Sequence, residues 1–495
     1  GIEGPADAEA FADLHLDQIV TRILGRVDQD LAPLFRTPLP TVADIEYRHE
    51  VFRDLRKPAV LDAIRSFTSS MRSIYVYAGA TDDLTGRYAA EGTFVEAVTA
   101  YAEAVTAFAG TLPGLDITSR GLSELRDHVL TYASSSGFTG LVSETRTMTD
   151  DLTSVRYTMT INGRRVRVGR YRGEPDYGEE VEQTFARFSP GERRRYTRKP
   201  GGRNDIGHVE ERILELVARL HPEVFGALDA YVERNRAFVD EPLIDFTRGI
   251  RFYLDVLAFL APLERAGLPL CFPTIVDNGD DVHVRDGFDL ALADRLVRSR
   301  TPIVTNDFAL AGAERIVVVT GPNQGGKTTF ARMFGQIHHL AAIGCPVPGS
   351  SASIPLVDRV LTHFEREEHV ENLRGKLADD LVRVRSMLER ATPQTVLIMN
   401  ETLNSTTLTD ARFLGEKLLD RIARIGARCV YVTFVDDLAA IDDGIVSLVG
   451  GVATGSEEVR TYKIVRRPAD GRAYAVALAE RYGLTYEQLK GRIEC

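Results

Sequence analysis

Cysteine is scarce in this chain of 495 residues, and long apolar runs are missing. The four cysteines, Cys271, Cys345, Cys429 and Cys495, are scattered and form no CxxC pair. That spacing excludes a disulfide framework and a cysteine-rich zinc site, and it fits a reducing compartment. No apolar stretch approaches the ~20 residues needed to cross a bilayer. The opening GIEGPADAEAFADLHLD is acidic and lacks the charged-then-apolar order of a signal peptide. Excess positive charge is also absent: 60 Lys and Arg stand against 71 Asp and Glu, a net of −11, so the whole molecule does not coat nucleic acid indiscriminately. The expectation is a soluble, cytoplasmic, multidomain chain with no membrane partner.

What is present falls into three textures. From about Phe11 to Leu130 apolar residues recur at helical spacing (Leu14, Ile19, Ile23; Val51, Leu55; Val95, Val98, Ala102), broken at Pro38, Pro40 and the GTLPG stretch. A second helical block runs from Val209 to Ala261, with Ile250, Leu254, Leu257 and Ala261 on one face. Between them the period drops to two. Val155, Tyr157, Met159 and Ile161 alternate with polar residues, Asn162-Gly163 follows, and Val166 and Val168 alternate again, which predicts a hairpin. Pairing across that turn puts Arg156, Arg165 and Arg167 on one polar face. Residues 156–203 hold 13 Arg and Lys against 6 Asp and Glu, among them the run Arg193, Arg194, Arg195. A basic island in an acidic chain is a candidate contact for a phosphate backbone; a solvated hairpin and loop is the plainer alternative. From about Cys271 strands and helices alternate, which implies a mainly parallel sheet between helices.

The sharpest motif lies in that third part. Gly321, Pro322, Asn323, Gln324, Gly325, Gly326, Lys327 and Thr328 satisfy GxxxxGK[ST], directly after the apolar run Ile316–Thr320 and before a helical stretch Thr329–Ala342. Such glycines let successive amides turn toward phosphate oxygens, and the following helix N-terminus adds partial positive charge. Lys327 is the candidate for the β- and γ-phosphates, the Thr328 hydroxyl for Mg²⁺, and ATP for the ligand. Downstream, the apolar strand Thr395-Val-Leu-Ile-Met ends in Asn400-Glu401. Glu401 is the candidate catalytic group, orienting or deprotonating water. Asn400 stands where a metal-shell carboxylate is expected, and an amide draws a cation less strongly.

Those residues resemble the MutS family of ABC-type ATPases. Thr320 through Thr329 are similar to its TGPNMGGKST string, so Thr329 joins the nucleotide-binding set; Gly344-Cys345-Pro346-Val347-Pro348 resembles its GsyVPA segment, and Asp358-Arg359 its iDrifTR strand. Gly471-Arg472-Ala473-Tyr474 through Gly483-Leu484 resembles the family's closing helices, and Ile45 to Val51 the start of its helical core. The resemblance implies a helical core and lever domain in 1–150, a β-rich, basic, clamp-like insertion in 151–205, lever helices in 206–265, and an ABC-type P-loop ATPase domain in 266–495. The fold class is therefore α plus α/β. It further implies self-association through the ATPase domain, or pairing with a MutS-like partner, and a role on DNA, in the manner of DNA repair.

Departures from the family sharpen the expectation. No segment for mismatch reading precedes the helical block, so a non-mismatch DNA structure is the expected target. The Ser/Thr-rich signature loop aligns with Arg374-Gly375-Lys376-Leu377, and the THY histidine with Thr433-Phe434-Val435. The losses fall on the hydrolytic side while the phosphate-gripping residues are intact, so binding of Mg-ATP with slow hydrolysis is expected. The alternative is a nucleotide-gated switch or heterodimer subunit with little or no turnover, acting on protein or RNA.

Overall fold

The computed structural model describes residues 5–25, 29–80, 86–162, 165–174, 208–276, 281–322, 324–365, 376–453 and 456–469. It divides into two compact units, Gly1–Phe52 with Phe252–Cys495, and Arg53–Arg251. Among the described residues no helix is long and apolar enough to cross a membrane.

The chain opens with four helices, α1 (Pro5–Asp13), α2 (Leu16–Leu24), α3 (Ala32–Arg36) and α4 (Val42–Leu55). Leu14, in the turn between α1 and α2, is fully buried in the first unit.

The second unit is helical: α5 (Pro58–Ala80), α6 (Arg87–Thr111), α7 (Arg120–Ser134) and α8 (Ser136–Ser154), then the hairpin β1 (Tyr157–Asn162) and β2 (Arg165–Arg170), then α9 (His208–Leu220) and α10 (Pro222–Arg234). Local chemistry sets the breaks. Ser119 and Ser135 cap α7 and α8 by accepting from Leu122 N and Phe138 N. Pro222 opens α10, where its missing N–H costs nothing. Along α6 the buried residues Val95, Val98, Tyr101, Ala102, Val105 and Phe108 follow the three-and-four spacing of one helix face. The Tyr101 hydroxyl is satisfied in that core, donating to Tyr132 Oη at 3.0 Å and accepting from Asp240 N at 3.0 Å. Asp54 ties the start of the unit together, accepting from Thr118 N (2.9 Å), Ser119 N (2.7 Å) and Lys57 Nζ (2.8 Å). These bonds hold its carboxyl far below the usual range despite burial.

Helix α11 (Glu241–Arg265) leads back into the first unit, which continues with β3 (Leu270–Cys271), β4 (Thr274–Val276), β5 (Val282–Gly287), α12 (Leu290–Arg298), β6 (Asn306–Leu310), β7 (Ile316–Thr320), α13 (Lys327–Ala342), β8 (Val347–Pro348), β9 (Ser351–Pro355), β10 (Arg359–Phe364), α14 (Lys376–Arg390), β11 (Thr395–Asn400), α15 (Leu408–Ile425), β12 (Arg428–Val432), β13 (Ile445–Ala453) and β14 (Ser456–Arg466). The main sheet has the order β10-β11-β12-β7-β13-β14, parallel from β10 to β13, with β14 antiparallel at the edge. A second sheet has the order β4-β9-β5-β6.

Strands β7, β11 and β12 are buried at every residue, as the central strands of a sheet covered on both faces must be. One face packs on α14 and α15 through Val384, Met387, Leu418, Leu419 and Ile422. Helix α13 packs against β10, β11 and β12 on the sheet, buried from Phe330 to Ala342 apart from Arg332. Gly335 permits its close approach: a Cβ there would lie 2.6 Å from Leu14 Cδ2 and 3.3 Å from Ile398 Cγ1. Every parallel strand that bears a candidate residue ends at the same edge, which is where open α/β sheets place their sites.

Candidate nucleotide site

The motif between β7 and α13 is shaped by backbone conformations that few residues adopt. Gly321 has φ +120°, and a Cβ on it would meet Gly450 N at 2.9 Å, so no other residue fits this turn. Gln324 and Gly326 also have positive φ, at 60° and 92°. Helix α13 starts at Lys327, two residues before the helical stretch predicted from sequence, because Gly326 O already accepts from Phe330 N at 2.9 Å. The Lys327 side chain is 5% exposed, and its Nζ donates to Gly321 O at 2.8 Å and reaches Pro322 O at 3.4 Å. Asn323 lies outside the described residues.

Gln324, Gly325, Gly326, Lys327, Thr328 and Thr329 line a cavity of about 430 Å³, and Glu401 lines it with them. The sequence motif and the acidic strand end, 73 residues apart, are thus brought together. Glu401 has φ 54° and Leu403 φ 68°, both unusual for residues with a side chain. This loop is held by Glu401 N donating to Val432 O (3.0 Å), by Asn404 Nδ2 reaching Glu401 Oε2 (3.4 Å), and by the buried Thr402. Non-glycine residues in this conformation persist only where the surroundings over-determine them, and they gather at functional sites.

Asn400 does not line the cavity. It is 7% exposed at the end of β11, and its Oδ1 is buried with no hydrogen-bond partner among the described residues. A buried carbonyl-type oxygen left unpaired is costly and needs an explanation. Oxygen donors of this kind suit Mg²⁺, which takes few protein ligands and completes its shell with phosphate oxygens and water. Thr328 and Asn400 therefore fit the ion. No group of three or more His, Cys, Asp or Glu side chains that could hold a metal occurs among the described residues.

The cavity is also lined by residues that no sequence motif pointed to: Leu292 and Leu296 of α12, Ile303, Val304, and Tyr462 of β14, whose Cδ1 is 3.7 Å from where a Cβ on Gly326 would lie. Asn306 fixes this wall, donating from Nδ2 to Tyr462 O (3.2 Å) and accepting at Oδ1 from Ile464 N (2.7 Å), which holds Tyr462 at φ 57°. Asp289 anchors α12 to α13. It caps Leu292 N at 3.1 Å and accepts from Arg332 Nε and Gln336 Nε2, each at 2.9 Å. The signal was present only as scattered residues from segments distant in sequence. Polar loop residues and apolar side chains thus share one cavity, the mixed lining common in small-molecule sites.

This part of the chain is similar to known proteins. MutS domain V matches residues 317–489. The chain is 27% identical to the DNA mismatch repair protein MutS of Chlorobium phaeovibrioides over 289 residues, 57% of this chain and 32% of that one. It is 27% identical to the DNA mismatch repair protein MutS of Shouchella clausii over 285 residues, 56% and 31% of the two chains. The chain is MutS-like. It spans about a third of the length of the curated relatives it matches.

The MutS domain V match takes in the 321–328 loop, the Asn400-Glu401 strand end and Tyr462, and the sheet order above is the fold of that region here. Phe434, at the position of the family's histidine, is 48% exposed just beyond β12. Arg374, Gly375 and the segment from Gly471 to Leu484 lie outside the described residues.

The basic hairpin stands apart from the domain V match. Its register pairs Thr160 with Arg167 and Asn162 with Arg165, which places both arginines on one face. Arg156 lies just before β1 with its guanidinium 5.7 Å from the Tyr171 ring centroid. On the other face Tyr157 and Met159 are exposed, at 41% and 49%, whereas Val166 and Val168 of β2, the strand on which α9 packs, are half-buried. Arg193, Arg194 and Arg195 lie outside the described residues.

Proposed function

We propose that this chain binds Mg-ATP in the cavity between the 321–328 loop and Glu401, hydrolyses it slowly, and uses nucleotide occupancy to control DNA binding as a dimer. The observation that carries the reading is that Lys327, Thr328 and Glu401 line one cavity of about 430 Å³, within the range of small-molecule sites. The triphosphate is received by main-chain amides of residues 324–328 and by the Lys327 ammonium, with the α13 N-terminus adding favourable potential. The base packs on the apolar side chains of the cavity, among them Tyr462 and Ile303. Thr328 at the cavity wall, with Asn400 behind it, would hold Mg²⁺, which would offset charge on the phosphate oxygens. Glu401 orients water for attack on the terminal phosphorus and accepts its proton, releasing ADP and phosphate. Asn400 supplies no negative charge, and the weaker draw on the metal lowers the turnover rate.

DNA enters the proposal on two supports. The matched relatives carry the name DNA mismatch repair protein, and Arg156, Arg165 and Arg167 form an exposed basic hairpin in an acidic chain. Arg193, Arg194 and Arg195 extend that basic island in sequence. The target is a non-mismatch structure such as a fork or junction. The test is nucleotide titration by calorimetry, followed by binding to duplex, forked, junction and single-stranded DNA and to RNA, with and without a non-hydrolysable ATP analogue. Nucleotide-dependent affinity for one DNA structure supports the proposal, and its absence from the whole panel removes the DNA part.

A second reading is favoured by Asn400: a nucleotide-gated switch or heterodimer subunit that holds ATP without meaningful turnover and acts on protein or RNA. Nucleotide binding with no phosphate release under single-turnover conditions selects it.

A further inference from the structure

Beneath the Glu401 loop lies a buried polar cluster that the nucleotide reading does not use. His363, on β10, is 1% exposed; Thr402 is 3% exposed and Asp380, on α14, 7%. His363 Nδ1 lies 3.1 Å from Thr402 Oγ1. On the other side of the ring, Nε2 lies 3.3 Å from Asp380 Oδ1, at ion-pair distance but off the line of a hydrogen bond. Tyr431 Oη donates to Thr402 O at 3.4 Å, so the same residue is gripped from β12. Thr402 follows Glu401, at φ 54°, and precedes Leu403, at φ 68°. It is the fixed point in a loop whose two flanking residues are strained.

The arrangement selects a tautomer. With the Asp380 carboxylate beside Nε2, the ring proton belongs on Nε2, which leaves Nδ1 free to accept from the Thr402 hydroxyl. A buried carboxylate and imidazole are expensive to desolvate, so a plain structural purpose would be met more cheaply by apolar side chains. What apolar side chains could not supply is a directional link from α14 to one hydroxyl in the strained loop.

We propose that His363 is a positioning residue for Glu401: the chain Asp380–His363–Thr402 sets the loop that carries the carboxylate, so that a displacement of α14 at Asp380 is passed to it. This rests on the reading of Glu401 as the water-orienting group, and it names what controls that group. Arg383, whose Nη1 is 4.0 Å from Asp380 Oδ1 and 3.4 Å from Phe364 O, belongs to the same cluster and holds the outer end of the chain.

The test uses His363→Asn, whose side-chain oxygen can still face Thr402 while nothing reaches Asp380, and Asp380→Asn, which keeps shape and removes charge. Thr402→Val serves as the near-isosteric break at the inner end. Each variant is measured in the full chain for ATP affinity, single-turnover hydrolysis and amide exchange across residues 400–405. The expected result is a fall in the hydrolysis rate of about tenfold or more, since a shift of about 1 Å in a reacting group can cost ~100-fold, with ATP affinity within about threefold of wild type. The His363→Asn/Asp380→Asn double variant falls no further than the worse single variant. Exchange at residues 401–404 rises in all three single variants, a readout that needs no turnover. Unchanged exchange overturns the proposal, as do multiplying effects in the double variant or an equal loss of affinity and rate. Failure of the underlying reading is separate: it is wild-type protein that binds no ATP, or hydrolysis unaltered by Glu401→Gln.

Discussion

Lys327 Nζ sits 2.8 Å from the carbonyl oxygen of Gly321, the residue that turns the chain out of β7. The ammonium is thereby held at the neck of the loop, on a side chain that is almost entirely buried. Hydrogen bonds to a charged group contribute about 1.5–3 kcal/mol each, and Lys327 is placed to make more than one to phosphate. Lys327→Ala is therefore expected to weaken ATP by ~100-fold or more in a calorimetric titration. A saturating nucleotide, at about 100 times its dissociation constant, stabilises a protein by ~2.7 kcal/mol, and that thermal upshift is expected in wild type and absent in the variant.

Asn400 and Glu401 separate binding from chemistry. Glu401→Gln keeps the volume and loses the proton acceptor, so nucleotide affinity stays within about threefold while hydrolysis falls by ~100-fold or more. Asn400→Asp restores a carboxylate where Oδ1 is now unpaired. It is expected to raise the Mg²⁺-dependent rate by about tenfold, equivalent to ~1.4 kcal/mol of barrier. Phosphate release at graded Mg²⁺ checks both variants, and an Asn400→Asp rate equal to wild type would show that the amide does not limit turnover.

The legible part of the site was the part carried by local constraint. Gly321 and Gly326 are fixed by positive-φ backbone geometry, and Lys327 follows at the helix start, so their spacing announced a loop and a following helix before any fold was in view. The run from Ile316 to Thr320 read as a central strand because both faces are covered. The apolar wall was not legible. Leu296, Ile303 and Tyr462 come from three elements, and what unites them is the Asn306 side chain spanning β6 and β14, a tertiary contact with no sequence period. The hairpin shows how far such patterning reaches: alternation announced two strands, and the exposure of Tyr157 and Met159 lay beyond it, because a period of two records which residues share a face and not whether anything covers it.

The hairpin arginines yield a prediction that does not depend on hydrolysis. Reversing Arg156, Arg165 and Arg167 to Glu changes the local charge by −6 at exposed positions, where folding stability is little affected. If these side chains meet DNA phosphates, affinity drops steeply, and the slope of log affinity against log salt becomes shallower by about 0.9 for each duplex phosphate that is no longer neutralised. Fluorescence anisotropy at several salt concentrations measures both quantities. Wild-type affinity and slope in the triple variant would move the DNA-binding surface elsewhere in the chain.

His338 and His339 connect the buried side of α13 to acid stability. His338 Nδ1 donates to Phe334 O and His339 Nε2 to Phe35 O, each at 2.8 Å, and burial pushes both imidazoles down from 6.5 to about 4. The folded state keeps them neutral, whereas the unfolded chain takes up protons as the pH drops below 6.5. Their contribution is therefore complete above pH 6.5 and is lost progressively as the pH falls toward 4. At pH 5 the loss comes to about 2 kcal/mol for each histidine. His338→Asn with His339→Gln preserves an N–H donor at each position and removes the titration. Urea unfolding of the full chain at pH 7.5 and pH 5 should show a smaller loss of stability in the double variant, by up to ~4 kcal/mol. An identical loss in both proteins would mean that these two rings are already protonated in the fold, and that the acid sensitivity resides elsewhere.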